Sequence, residues 1–295
     1  LDIAEAFDMS NLGEVPAFNA GVLSSASTGR GAAGDIRISA SSVTLDSVAV
    51  QAATAGAGRG GRIEILANAL TLRNGAQVST GTEPGSTGEA GAIDVQVAGR
   101  LDLYGQRSDG ISSGFTATTR GSGRGGDVSI AADTITMRDG ALVSASTNAS
   151  GDAGSVGVSG RVLDLFDGRI TTTSAGVGNA GPILIAMRER AAIAGRVSSE
   201  TEGRGRGGTV SVTAPEIAVS GSVVSRTEGG GDAGSVAVSG GRITIEGSID
   251  SSTVGSGAAG DIAVIAAERL EVSGSIVAET AGLGGGRGGH ITLQA

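Results

Sequence analysis

Apolar and polar residues alternate in short segments along almost the whole chain, and these segments recur with a period of roughly 28 residues. Each period opens with a glycine and two apolar residues one position apart, as in Gly34-Asp-Ile36-Arg-Ile38. Alternation of this kind is typical of a strand with one buried face. The anchor glycines are Gly34, Gly61, Gly91, Gly126, Gly154, Gly181, Gly208, Gly234, Gly260 and Gly289.

Two further alternating segments follow each anchor. In the first full period they are represented by Val43/Leu45 and by Val50, which lies in the third segment. Turns that end in Gly75, Gly140 or Gly168 join the second segment to the third, and glycine there supplies a positive φ without a Cβ clash. Three strands per period with no helical periodicity predict an all-β fold, a right-handed parallel β-helix of about ten coils.

The same pattern predicts the domain organisation. Residues 1–33 are expected to form an irregular first coil or cap, 34–289 nine repeats of the solenoid, and 290–295 the start of a further coil. The whole chain is expected to be one continuous domain. Ten coils spaced by about 4.8 Å give a rod on the order of 50 Å long.

A hydroxyl recurs four residues after the inward residue of each third segment. Stacked hydroxyls at this position are expected to hydrogen bond from coil to coil as a structural ladder. The column contains Thr54, Thr82, Thr119, Thr147, Ser174, Thr201, Thr227, Thr253 and Thr280.

A second column, two residues before each anchor, is mostly charged and never places like charges on neighbouring coils. Weak ion pairs between coils are expected there. Its members are Arg59, Glu89, Arg124, Asp152, Asn179, Arg206, Asp232, Ala258 and Arg287.

Composition agrees with a core of small residues. The 295 residues include 54 Gly, one Tyr, four Phe and no Trp or Cys, whereas 39% of the chain is apolar and the net charge is −9. The chain is therefore too apolar to be disordered, and too poor in aromatic residues for an ordinary globular core. The 21 basic residues are dispersed among 30 acidic ones. No basic stripe is present, so nucleic acid is not an expected partner.

The segment from Gly126 to Thr147, GDVSIAADTITMRDGALVSAST, resembles the repeat region of filamentous-haemagglutinin-like large exoproteins of the two-partner-secretion type. The resemblance extends over roughly residues 21–295. It implies a β-helix, export through an outer-membrane barrel partner, and a role in adhesion or fibre formation. The Asn-Pro-Asn motifs of the secretion domain of such proteins are absent, so the chain corresponds to the shaft region.

One outward column after the second segment is unusual in chemistry. It places Arg73, Tyr104, Arg138 and Phe166 on consecutive coils, beside an insertion that makes the coil of Tyr104 the longest. Exposed aromatic residues in so aromatic-poor a chain require a reason. These four residues, here called the stripe, are expected either to stack by cation–π contacts or to bind a surface glycan or another protein.

Catalytic chemistry finds little support in the sequence. His290 is the only histidine, and a lone imidazole forms neither a triad nor a metal cluster. The carboxylates are spread along the coils, and the glycine-rich loops lack the Lys-Ser/Thr of a phosphate-binding loop. We expect no enzyme, no catalytic or metal-binding residues and no cofactor.

The leading hypothesis is a non-catalytic structural or adhesive shaft, secreted or at the bacterial cell surface. The alternative is a module in which the stripe binds a polysaccharide or receptor, and a polysaccharide-cleaving enzyme is a remote third. The last segment, Gly289 to Ala295, carries nothing that would blunt a sheet edge. We therefore expect the coil to continue or to associate end to end with another copy.

Overall fold

The computed structural model describes residues 6–10, 21–282 and 286–295, and this part of the chain consists of strands, turns and loops. Long strands of ten to twelve residues alternate with short strands of six over most of the chain. In chain order the strands are β1 (Ala6–Ser10), β2 (Val22–Ser27), β3 (Ile36–Asp46), β4 (Ala49–Thr54), β5 (Ile63–Arg73), β6 (Gln77–Thr82), β7 (Ile93–Tyr104), β8 (Gly114–Thr119), β9 (Val128–Arg138), β10 (Leu142–Thr147), β11 (Val156–Leu165), β12 (Arg169–Ser174), β13 (Ile183–Ile193), β14 (Arg196–Thr201), β15 (Val210–Val219), β16 (Ser222–Thr227), β17 (Val236–Ile245), β18 (Ser248–Thr253), β19 (Ile262–Val272), β20 (Ser275–Val277) and β21 (Ile291–Gln294).

All these strands belong to two parallel sheets. The odd-numbered strands form a sheet of 11 in the order β1-β3-β5 through to β21, and the even-numbered strands form a sheet of 10 from β2 to β20. Each strand pairs with the equivalent strand one coil earlier and one coil later, as β10 does with β8 and β12. The predicted all-β fold and parallel β-solenoid of about ten turns are confirmed.

The structure has two strands per coil where three were predicted. The first two alternating segments run on as one long strand, since the residues between them keep an extended, paired backbone. The burial alternation nevertheless changes phase in the middle: Ile36, Ile38 and Ala40 point inward, and then Val43 and Leu45 do so after a step of three. Register shifts occur at this point in several coils. We call this point the bend.

Two kinds of connection close each coil. The turn corner joins a long strand to the next short strand through two to nine residues: 47–48, 74–76, 105–113, 139–141, 166–168, 194–195, 220–221, 246–247 and 273–274. The loop corner joins a short strand to the next long strand through glycine-rich segments such as 55–62, 148–155 and 202–209.

Side chains from both sheets fill one continuous core made almost entirely of Ile, Val, Leu and Ala. Among the residues whose burial is described, Phe115 is the largest fully buried side chain, and it occupies the inward column between Val78 and Val143. Small and branched residues suffice because two sheets that wind around a narrow interior leave little space for aromatic rings.

The anchor glycines stack directly on one another at the loop corner. A Cβ on Gly154 would overlap the carbonyl oxygen of Gly126, and a Cβ on Gly181 would overlap that of Gly154. Backbone hydrogen bonds tie the same loops together, as the Ala153 N–H donates to the Asn179 carbonyl over 2.8 Å. The repeating glycine is therefore required by the close approach of adjacent coils.

Positive φ is needed at some turn corners and not at others. Asn74 and Gly75 have φ of 55° and 79°, and Asp139 and Gly140 have 54° and 79°, the conformation of a type I′ turn. The prediction was wrong for Gly168, whose φ is not positive. Packing favours glycine at 168, because a Cβ there would lie 2.9 Å from Leu165 Cδ1 and 3.1 Å from Met137 Cβ.

The first and last strands of both ends pair with the neighbouring coil. β1 pairs with β3, and β2 pairs with β4. Residues 1–5 and 11–20 of the predicted irregular first coil lie outside the described residues. At the other end β21 pairs with β19, and its Ile291 and Leu293 are 45% and 50% exposed.

Candidate binding surface at the turn corner

The stripe lies at the end of the long strands, where the chain enters the turn corner. Parallel pairing sets Arg73 beside Tyr104 and Tyr104 beside Arg138. Phe166 follows β11 by one residue, and its N–H donates to the Met137 carbonyl over 2.8 Å. The structure thus brings the first three predicted residues together and places Phe166 on the neighbouring coil beside Arg138.

Tyr104 is held between two arginines. The guanidinium carbon of Arg138 lies 4.4 Å from the centroid of the Tyr104 ring. Hydrogen bonding to the Tyr104 hydroxyl is the main cause that raises the pKa of Arg73, followed by the charge of Asp46. Arg73 Nε also donates to Asp46 Oδ2 over 2.9 Å. One ring face of Tyr104 is therefore already covered within the protein.

Phe166 is the member of the stripe that faces solvent, with 70% of its surface exposed. Tyr104, by contrast, is half-buried. The neighbouring Arg138 is also exposed, and its Nη1 lies 3.6 Å from Asp139 Oδ2. Phe166 and Arg138 are therefore the part of the stripe that a ligand can reach.

The nine-residue connection 105–113, which contains the insertion Gly105 to Gly110, packs against the adjacent turns. A Cβ on Gly75 would meet the Arg107 side chain at 2.5 Å. Ser113 Oγ donates to the Tyr104 carbonyl over 2.8 Å and accepts from the Gly75 N–H over 2.9 Å. The Arg107 guanidinium hydrogen bonds Asp109 and lowers the pKa of that carboxyl. The insertion thus fixes the backbone that carries Tyr104, a role that the sequence did not reveal.

The hydroxyl column does not form the predicted coil-to-coil ladder. Most of its members donate to a carbonyl within their own loop corner: Thr119 to Arg124 over 2.9 Å and Thr227 to Gly231 over 2.8 Å. A hydroxyl pair between coils is seen for Thr227 and Thr253, at 2.8 Å. The hydroxyls bond these carbonyls because each loop corner curls back over the hydroxyl of its own coil.

The charge column at the loop corner is also organised differently from the prediction. Its oxygens accept backbone N–H groups of the next coil: Asp152 Oδ1 from Asn179 over 2.7 Å, and Asp232 Oδ1 from Ala258 over 2.9 Å. Among the described residues of this column, one pair of opposite charges lies within 4 Å across coils, Arg206 and Asp232 at 3.6 Å. Backbone donors take precedence because stacked loops leave them close to the carboxylate.

A cluster of ion pairs at the bend was not anticipated from the sequence. Arg161 bridges Asp133 at 3.1 Å and Glu189 at 2.8 Å, which belong to the preceding and following coils. Its hydrogen bonds lower the pKa of Asp133, and the two carboxylates raise the pKa of Arg161. These ion pairs could not be predicted from the sequence, because register shifts at the bend change the spacing between these residues and the anchor glycine.

The lone histidine and the carboxylates of the described residues are dispersed over the solenoid. His290 is exposed, and its backbone N–H donates to Asp261 Oδ1 over 2.8 Å. The described residues contain no group of three or more His, Cys, Asp or Glu placed to hold a metal ion. They also contain no helix with the length and apolar character needed to cross a bilayer.

No protein-family model, curated protein or solved structure matches this chain. The resemblance to filamentous-haemagglutinin-like exoproteins therefore stays a prediction from the repeat sequence.

Proposed function

We propose that the chain is a non-catalytic structural or adhesive shaft, part of a cell-surface fibre or large exoprotein. The observation that carries this proposal is the unbroken stacking of like coils, in which each strand pairs with the coils before and after it. One apolar core runs along the stack. Such architectures act as spacers that keep their length while their outer surfaces vary.

The shaft is tested by electron microscopy of the purified chain. Straight, uniform rods are the expected result, with a length on the order of 50 Å for about ten coils. Compact particles without a long axis would contradict it. Incubation with polysaccharides, followed by measurement of released reducing ends, addresses the remote enzymatic alternative, and release above that of a heat-denatured control would overturn the non-catalytic assignment.

We place the shaft outside the cell, in line with the resemblance to two-partner-secretion exoproteins and their outer-membrane barrel partners. The chain contains no cysteine, which suits that compartment but does not require it. Protease treatment of intact producing cells provides the test. Cleavage of the chain while a cytoplasmic marker survives is expected, and full protection in cells whose surface is otherwise digested would contradict the location.

We further propose that the coil is right-handed and that its cross-section has three faces, because each long strand changes direction at the bend. Parallel crossovers are overwhelmingly right-handed. The phase change between Ala40 and Val43 supports two faces within one strand. An experimental structure at a resolution that separates strands tests both points, and a left-handed coil or a straight long strand would contradict them.

End-to-end association is proposed for the coil that contains β21. Its inward-column side chains Ile291 and Leu293 are about half exposed, and a further coil or a second copy would bury them. Sedimentation equilibrium over a concentration series tests this. Leu293→Asp is expected to weaken association and Gln294→Asp, which alternates to the other face, to leave it unchanged. Equal behaviour of the two variants would contradict the proposal.

The alternative, a module that binds a polysaccharide or receptor through the stripe, is favoured by one observation, the 70% exposure of Phe166. Glycan-array and cell-binding assays of Phe166→Ala and Tyr104→Ala test it. Because Tyr104 is half-buried and Arg138 covers one face of its ring, a binding stripe should lose more affinity with Phe166→Ala. Binding that neither variant changes would leave the stripe as a structural contact.

A further inference from the structure

A groove of about 980 Å³ runs along the outer face of the 11-stranded sheet and follows the bend. It crosses six consecutive coils, from β3 to β13, so its length is roughly 24 Å at about 4.8 Å per coil. At the bend itself its lining includes Ala40, Ala67, Ala132 and Gly160, small residues that leave the surface low there. The groove is a different surface from the stripe, since it contains none of the four stripe residues.

One wall of the groove alternates in polarity from coil to coil. Pairing aligns one residue of each long strand in a single column. The column reads Ser39, Leu66, Gln96, Ala131, Ser159 and Ala186. A polar group therefore recurs every second coil, at intervals of about 9.6 Å. This repeat suits a linear polymer whose polar and apolar faces alternate along its length.

The polar groups of the groove have hydrogen-bonding capacity to spare. Within the described part of the chain, the side chains of Asn68, Gln96 and Ser129 hydrogen bond to no other residue. Ser159 Oγ has only a long contact of 3.4 Å to the Ile130 carbonyl. The groove thus offers neutral donors and acceptors that match hydroxyl groups.

The charges in the groove are largely neutralised by arginines beside it. Asp94 Oδ2 lies 2.7 Å from Arg62 Nε, and Asp133 Oδ2 lies 3.1 Å from Arg161 Nη2. A polyphosphate would require a row of cationic groups, and Arg188 is the one basic residue of the lining. An extended peptide would require an unpaired strand edge, whereas the strands from β5 to β13 are paired on both sides.

We propose that this groove binds a neutral, linear polysaccharide that lies parallel to the axis of the solenoid. The ligand spans several coils, and each coil contributes one or two hydrogen bonds to hydroxyl groups. On the alternate coils, Leu66 and Ala131 make apolar contacts with the faces of the sugar rings. Affinity then grows with the length of the glycan chain, because short oligosaccharides reach few coils.

Affinity electrophoresis of the whole chain in gels that contain a soluble neutral polysaccharide tests the proposal. The probes are hydroxyethyl cellulose, glucomannan and arabinoxylan, with polyphosphate as the charged comparison. We expect retardation by at least one neutral probe and none by polyphosphate. No retardation by any of the three neutral probes would overturn the proposal.

Variants locate the binding site. Asn68→Ala with Gln96→Ala is expected to weaken binding about thirtyfold, the loss of roughly two net hydrogen bonds. Ala131→Arg is expected to abolish it by filling the groove, and its melting temperature is measured alongside. Thr213→Ala is the matched control, because Thr213 lies in the same column, is exposed and falls outside the groove.

Binding that survives Ala131→Arg in a folded protein would overturn the groove as the site. Binding that disappears with Phe166→Ala instead would also overturn it and would transfer the glycan to the stripe. Both results come from binding assays, whereas the shaft is tested by the shape of the particles in electron micrographs. A groove that does not bind glycan can therefore be distinguished from a chain that does not form a shaft.

Discussion

The loop corner and the turn corner connect the same two sheets, yet they differ in how regularly they repeat from coil to coil. At the loop corner, stacked glycines such as Gly126, Gly154 and Gly181 leave no room for a Cβ, and backbone groups of adjacent coils bond directly. At the turn corner, Gly195, Gly221, Gly247 and Gly274 stack in the same way, whereas the connections before them vary from two to nine residues in length. Chemical variety therefore collects at these earlier connections, beside Tyr104 and Phe166, where the turn differs from one coil to the next.

The largest expected effect tests the glycine stack against a glycine outside it. Gly154→Ala should destabilise the protein by about 3 kcal/mol, because its Cβ would overlap the Gly126 carbonyl and force the coils apart. A Cβ on Gly157, three residues later in β11, would have no other atom within 4 Å. Gly157→Ala should be neutral or stabilising by up to about 1 kcal/mol. Thermal unfolding of both variants provides the measurement, and equal shifts would contradict the stack.

The next effect concerns the buried hydroxyl of Ser225, which hydrogen bonds the 10-stranded sheet to two anchor glycines. Ser225 Oγ donates to the Gly208 carbonyl over 2.9 Å and accepts from the Gly234 N–H over 2.9 Å. Ser225→Ala should cost about 1–3 kcal/mol because both partners lose their bond inside the protein. Ser220→Ala, at an exposed position of the turn corner, should change stability by less than about 0.5 kcal/mol. Urea denaturation compares the two, and a larger loss for Ser220→Ala would reverse the comparison.

A smaller effect is expected within the stripe. A double-mutant cycle of Arg138→Ala and Tyr104→Leu should give a coupling of about 0.5–1 kcal/mol from the cation–π contact. The same cycle between Arg188→Ala and Tyr104→Leu should give none, because Arg188 lies in the groove at the bend. A coupling energy near zero for the first pair would contradict a stabilising cation–π contact between Arg138 and Tyr104.

The smallest effect is the pH dependence of the loop corner. Burial alone would raise the pKa of Asp127, but hydrogen bonds from Ser155 and Arg124 outweigh it and lower the pKa. A carboxylate whose pKa is lowered by folding stabilises the native state above its unfolded pKa of about 3.9, and this contribution is lost as pH falls through the folded value. Asp127→Asn should therefore be less stable than the parent near pH 7 and approach it near pH 3. A constant difference across that range would contradict the assignment.

The parallel solenoid could be predicted from the sequence. Each strand buries one face, as at Ile36 and Ile38, and a glycine recurs once per coil, so both features are visible as a period in the sequence. It did not reveal that the Thr119 hydroxyl binds a carbonyl of its own loop, since that depends on how the loop curls. The groove was missed for a related reason. Ser39, Gln96 and Ser159 are far apart in sequence, and only the pairing of coils aligns them at the bend.

Parallel, in-register stacking is the claim on which the account rests, and spin-label distances test it most directly. The chain has no cysteine, so cysteines placed at outward positions of the short strands can be labelled without background. Gln51, Thr171 and Asp250 share one outward column, with Thr171 four coils and Asp250 seven coils from Gln51. At about 4.8 Å per coil, the predicted separations from Gln51 are about 19 Å and about 34 Å. Separations that do not grow with the number of coils would contradict the solenoid.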